Sequence, residues 1–347
     1  MRHTMQHSIK CMGIRSGTSK GNIFASEELR QYGTTKKLLP YIMGSHSMMQ
    51  RDGLGSNTTF TNNIVLVTKT RKENHLRVSV YSTECEQYSY GNSFYTGNML
   101  AAAALFALEK RMAFVKKSDE EIIIHCTNNR HNIGVSFAID KRKLHYKPYN
   151  PINSFPKTGV IATLHCTHEL EKNDWKRYST GYININKQPI SYTCINIFKT
   201  CPIVVLDEKE IADKLNFSSD TCNAILDDIR KVSCENLNVK HVVICVPKQH
   251  VWQDNKVYLD PVFSMPEDLE DTYDVFQFFS LAFLWMKKNI ANNNNMSDQK
   301  SYNLVIQHDH GESMVTVTCK DSVLYMSCEI TTRPLYDGET TLPGDVS

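Results

Sequence analysis

The chain has 347 residues, 41% of them hydrophobic, and a formal net charge of +2. That length buries a sizeable core and suggests two domains. The balanced charge gives no electrostatic footprint for nucleic acid, and the apolar run near residues 278–286 is too short to span a bilayer. The first ten residues lack the apolar segment of a secretory signal. The eleven cysteines form no CxxC pair, which fits reduced thiols in a cytoplasm better than a disulfide framework. No metal is expected, because His308-Asp309-His310 and His125-Cys126 come without a second spaced pair.

In chain order, residues 8–14 read as a short strand. It runs into Arg15-Ser16-Gly17-Thr18-Ser19-Lys20-Gly21, a small-residue loop with two cations of the kind that wraps an anion with backbone N–H groups. The P-loop spacing is absent. Residues 27–32 and 36–43 read as helical. Residues 51–63, rich in Gly, Thr and Asn, form a polar stretch suited to a surface loop or a ligand clamp. Strands follow at 64–69 and 76–81, then a polar aromatic loop over 84–95.

Residues 96–111 read as one helix. Ala, Leu, Met, Glu, Lys and Arg dominate it, and its first turns are apolar on every side, the mark of a helix enclosed by other structure. It begins with small polar residues, Thr96, Gly97 and Asn98. A buried helix start of that kind is either an anion site or an ordinary capped end.

Strands are expected at 121–126, 133–139 and 143–146. Pro148, Pro151 and Pro156 mark a linker over 147–159. Beyond it, strands at 160–166, 190–198, 203–206 and 242–246 surround a helix at 220–232. A long apolar helix at 273–290 and strands at 302–307, 314–319 and 323–330 complete the chain. Each half thus has several strands and one dominant apolar helix. The pattern suggests two pseudo-equivalent α+β lobes, residues 1–150 (with 331–347 as a candidate addition) and 151–330, with a cleft between them.

Three stretches carry a family resemblance. Residues 15–21 resemble the RGGTSKG motif of the PrpF, or 2-methylaconitate cis-trans isomerase, family. Arg51-Asp52-Gly53-Leu54-Gly55-Ser56-Asn57-Thr58-Thr59 resembles its IDGxGGATS loop. Gly97-Asn98-Met99-Leu100-Ala101-Ala102 resembles its GNMxAA helix start. His308-Asp309-His310-Gly311 looks like a remnant of the family's GHPSG, and Thr331-Thr332-Arg333 with Gly338 of its final RTARxxxxG. The family's SMGKxHHA segment has no convincing counterpart. The resemblance implies the two-lobed diaminopimelate-epimerase-like fold, each lobe a curled β-sheet around a central helix. It also implies cofactor-independent isomerisation of a small unsaturated di- or tricarboxylate such as aconitate or methylaconitate, by removal and return of a proton. The expected partner is that small polycarboxylate, with no nucleic acid and no membrane; a homodimer is left open.

On this reading Arg15, Ser16, Thr18, Ser19, Lys20, Gly55, Ser56, Asn57, Thr58, Gly97 and Asn98 are the substrate-binding candidates. The family's proton-handling Lys falls on Asn63. Its Cys falls on Thr96, or on Ser93 if the preceding loop holds an insertion. An amide cannot act as a base, and a helix N-terminus that tunes a thiol cannot do the same for an alcohol. Replacement acid/base candidates are His308 or His310, of which at most one would face the cleft in an extended segment, and Cys201, for which core filling is the plainer role. A protein that keeps the fold and only binds a carboxylate or a partner is the alternative to an enzyme.

Overall fold

The computed structural model describes residues 7–44, 52–55, 61–84, 89–92, 97–141, 143–148, 158–169, 178–198, 202–215, 222–239, 242–247, 251–253, 256–259, 261–264, 273–292, 301–308 and 311–342. The first part of the chain supplies β1 (His7–Ser16), β2 (Ser19–Ala25), α1 (Ser26–Arg30), α2 (Thr35–Met43), β3 (Asn63–Lys69), β4 (His75–Glu84), β5 (Ser89–Asn92), α3 (Gly97–Glu109), β6 (Ile122–Cys126), β7 (Asn132–Phe137), β8 (Ile139–Asp140), β9 (Lys143–Leu144), β10 (Lys147–Pro148) and β11 (Thr158–Glu169). The rest supplies β12 (Tyr178–Ile185), β13 (Gln188–Ile195), β14 (Ile203–Leu206), α4 (Glu208–Leu215), α5 (Cys222–Leu237), β15 (Val243–Pro247), β16 (Val251–Gln253), β17 (Lys256–Leu259), β18 (Pro261–Ser264), α6 (Val275–Asn292), β19 (Ser301–His308), β20 (Gly311–Lys320) and β21 (Val323–Leu342).

Strands β1, β2, β3, β4, β6, β7, β11 and β21 pair in that order, and β21 pairs back to β1, so these eight close a ring. Helix α3 touches every strand of the ring. Such a ring leaves an interior that side chains normally fill, so a helix fits inside only if its own side chains are short. Gly97, Ala101, Ala102, Ala103, Ala104 and Ala107 meet that need, and residues 97 through 107 are all buried. Leu100, Leu105 and Phe106 fill the remaining space, each worth about 1.5–3 kcal/mol of apolar burial. Strand alternation sorts the two faces of the ring. Met12, Ile14, Ile23, Val65 and Val67 point in at α3, whereas Ile9, Phe24, Ile64 and Leu66 point out under α1 and α2.

The same sheet continues outward from β21 through β20, β19, β17 and β16. A second sheet, β12-β13-β14-β15-β18, is separate. Helix α6 lies between the two, sharing one apolar core with Ile203, Val205, Val243 and Cys245 on one side and Leu304, Val315 and Met326 on the other. Helices α4 and α5 cover the opposite face of the second sheet through Ile211, Leu226 and Ile229.

The expected pair of curled sheets is therefore corrected around α3, where the sheet is a closed barrel. The cause is β21. It was expected to stop near residue 330 but runs for 20 residues. Its first half pairs with β11 and β20, and its second half with β1. Two further differences are local. Residues 15–21 form a β-hairpin rather than a loop, with its turn at Gly17 and Thr18. Part of the stretch read as a loop before α3 is β5, paired with β4. Most of the expected linker, residues 149–157, lies outside the described residues.

Candidate functional site

The β1–β2 hairpin brings its residues to the mouth of the barrel. Gly17 has φ +54, a left-handed turn conformation that suits glycine, and its N–H donates to the Thr331 carbonyl at 3.0 Å. Alternation then divides the predicted binding residues between two faces. Ser16 and Ser19 are directly paired across the hairpin, and both follow the inward face of Met12, Ile14 and Ile23. Asn63 joins them inside, beside Gly21, with its Nδ2 donating to the Lys20 carbonyl at 3.1 Å.

Arg15 and Lys20 pair with each other on the outward face, and Arg333 is the cross-strand neighbour of Arg15. The Arg15 guanidinium donates to the Gly17 carbonyl at 2.8 Å and to Thr331 Oγ1 at 3.3 Å. Burial, then the charge of Arg333, lowers its pKa from the ordinary value. Gly55 is tied to the end of α2, its N–H donating to the Met43 carbonyl. Ser56, Asn57, Thr58, Ser93, Thr96, Cys201 and His310 lie outside the described residues.

At the inner mouth the N-termini of α3 and α6 meet, and Asp274, the residue before α6, sits between them. Its carboxylate accepts the Gly97 N–H (3.3 Å) and Asn98 N–H (3.0 Å) of α3 and the Phe276 N–H (3.0 Å) of α6. The exchange is reciprocal, because Asn98 Oδ1 accepts the Val275 N–H at 3.3 Å and Asn98 Nδ2 donates to the Tyr273 carbonyl at 2.8 Å. Asn98 Nδ2 also reaches Ser19 Oγ at 3.3 Å. Thr18 Oγ1 donates to the Tyr273 carbonyl (3.0 Å) and accepts the Tyr273 N–H (3.2 Å). Each helix thus satisfies the other's orphan donors.

Gly97 permits this approach. A Cβ there would stand 2.3 Å from Val275 Cγ1 and 2.7 Å from Asp274 Oδ1.

Asp274 is 2% exposed. Burial raises its carboxyl to about 6, against the opposing pull of the Asn98, Phe276 and Gly97 N–H groups. Its neighbour Cys328 on β21 is pushed up to about 12, first by burial, then by the charges of Glu329 and Asp274, so that thiol is inert. His308 stands one layer out. Its ring lies 4.5 Å from that of Tyr273 and 5.6 Å from that of Phe278, and Nε2 pairs with Ser313 Oγ at 3.0 Å. Among the described residues no group of three or more His, Cys, Asp or Glu could hold a metal, and no helix is long and apolar enough to cross a membrane.

The structure therefore gathers Ser16, Thr18, Ser19, Asn63, Gly97 and Asn98, and adds Asp274, which lies in none of the family motifs. A signal for it existed. Asp274-Val275-Phe276-Gln277 has the spacing of a capping box, and Gln277 Oε1 does accept the Asp274 N–H at 3.1 Å.

The fold of this chain is similar to that of a solved methylitaconate-delta-isomerase. The match has a TM-score of 0.67 and covers 98% of this chain and 97% of that one at 14% identity. The profile of the PrpF family ("PrpF protein") matches residues 6–253, more than half of the chain, and the chain belongs to that family. Among curated relatives, a 4-oxalomesaconate tautomerase of Pseudomonas putida is 28% identical over 128 residues, 35% of each chain. A (4E)-oxalomesaconate Delta-isomerase of Novosphingobium sp. is 27% identical over 126 residues, 35% of this chain and 34% of that one. The matches thus span about a third of the length of these relatives.

Proposed function

We propose that this protein is an isomerase of a small unsaturated di- or tricarboxylate, aconitate-like in substrate, acting between two lobes where the helix starts meet. The observation that carries the reading is the convergence of the α3 and α6 N-termini on a single carboxylate. Backbone N–H groups aimed at one point form a seat for negative charge. The same groups would stabilise the delocalised anion formed when a proton leaves a carbon beside a carboxyl group. Ser16, Thr18, Ser19, Asn63 and Asn98 line the seat with hydroxyls and amides that orient a polar ligand. Arg15 and Lys20, on the other face, are not part of this seat. Family membership and the names of the relatives support the reaction class. No cofactor enters the proposed chemistry, and the proposed compartment is the cytoplasm.

The test is incubation of the purified chain with cis-aconitate, trans-aconitate and methylaconitate in deuterium oxide, followed by proton NMR. Deuterium uptake or isomer interconversion in one of them is expected. The absence of both in all three removes this reading. A second reading, a carboxylate binder without turnover, is favoured by one observation: Asn63 is an amide at the position where the family resemblance places a lysine. Under that reading the same acids raise the melting temperature without exchange.

A further inference from the structure

We propose that Asp274 is a built-in occupant of the carboxylate seat, holding it shut in the ligand-free chain. The inference rests on the reading of the helix junction as a carboxylate seat, though not on turnover. Two observations carry it. First, the atoms that would receive a ligand's carboxylate are already engaged. The Gly97, Asn98 and Phe276 N–H groups all end on the Asp274 oxygens, Asn98 Nδ2 is tied to Ser19 Oγ and to the Tyr273 carbonyl, and Thr18 Oγ1 is tied to the same carbonyl. An incoming carboxylate competes with one that is covalently tethered and so always present.

Second, beside the seat the strand register brings a buried polar atom that Asp274 does not serve. Ser16 is 0% exposed, follows the α3-facing side of β1 and pairs across the hairpin with Ser19, whose Oγ meets Asn98 Nδ2. Its Oγ has no hydrogen-bond partner among the described residues. A buried hydroxyl left unpaired is costly. It marks a position where a ligand brings a polar group that the internal carboxylate, fixed to α6, does not supply. The ligand class is a small carboxylate bearing at least one further polar acceptor or donor.

Acetate is the simplest probe, because it has the size of the aspartate side chain. In the full chain, Asp274→Gly removes the occupant and leaves a residue that N-caps tolerate. The expected result is a fall in melting temperature that sodium acetate restores, saturably and by several degrees, where sodium chloride of equal ionic strength does not. The parent chain is expected to show no acetate-specific shift. If Asp274→Gly folds only when acetate is present, the proposal stands; if it folds in neither salt, the proposal falls. Ser16→Ala combined with Asp274→Gly is expected to leave acetate binding unchanged and to weaken several-fold the binding of malonate, which brings a second carboxylate for the Ser16 hydroxyl; equal malonate binding with and without Ser16 would remove Ser16 from the seat.

Amide NMR of the parent separates the failures. Saturable acetate shifts at Gly97 and Asn98 in the unaltered chain would keep the seat and remove Asp274 as its occupant. Acetate without effect on either chain would remove the seat itself, whatever the deuterium-exchange test shows.

Discussion

Replacing Asp274 by Asn tests the junction through the dependence of stability on pH. The Asp274 carboxyl lies at about 6 in the folded chain against 3.8 for the ordinary group. The folded state therefore holds this proton more tightly than the unfolded state does. The resulting stabilisation is complete below the unfolded value and is lost as pH rises through about 6. Two units at 1.36 kcal/mol each give about 3 kcal/mol in all, of which about 1.4 kcal/mol disappears between about pH 5 and about pH 7.5. Asn cannot titrate, so the variant lacks this component. It keeps one acceptor oxygen, which adds an offset but no slope.

Among the described residues, the titratable groups at this junction include Cys328, neutral throughout this range, Tyr273, and His308, which packs on Tyr273; all three are present in both chains. Urea unfolding of parent and variant at the two pH values isolates the difference. Parallel losses of stability would refute a buried carboxylate held between two helix ends.

Gly97→Ala is expected to cost about 1–3 kcal/mol by urea unfolding, because its methyl group collides with Val275 and Asp274 and neither helix start can yield without losing caps. An unchanged midpoint would contradict the close approach. Arg15→Ala is expected to lower stability by about 1–3 kcal/mol, through loss of the charged hydrogen bond to the Gly17 carbonyl, while leaving acetate affinity of Asp274→Gly unaltered. A several-fold loss of that affinity, measured by thermal titration, would place Arg15 in the seat after all.

The two central helices were legible because an all-round apolar run has few other homes. The enclosed helix expected at 96–111 is observed as α3, Gly97–Glu109, and the one expected at 273–290 as α6, Val275–Asn292. Strand β4 also follows from local alternation, and β1, β3 and β6 fall on residues expected to be strands. What local pattern could not give was closure. The union of β21 with both β1 and β11 joins residues more than 150 positions apart, and nothing in a single strand's alternation names its partner.

The site was half legible for the same reason. The composition of residues 96–98 marked a helix start needing acceptors, but the acceptor came from Asp274, 176 residues from Asn98. Residues 15–21 read as a loop because glycines and serines resemble a turn throughout, yet they form a hairpin. Once it is a hairpin, period-two alternation turns Arg15 and Lys20 away from Ser16 and Ser19.

Strand β21 also orders events in time. Every other member of the barrel precedes it along the chain, so α3 leaves the ribosome before the last stave that will enclose it exists. Until residues 323–342 emerge, β1 and β11 are naked borders flanking an oily rod, the condition in which nascent chains stick to one another. Folding therefore waits on a long-range seam, and production in cells should benefit from chaperones that shield an incomplete barrel.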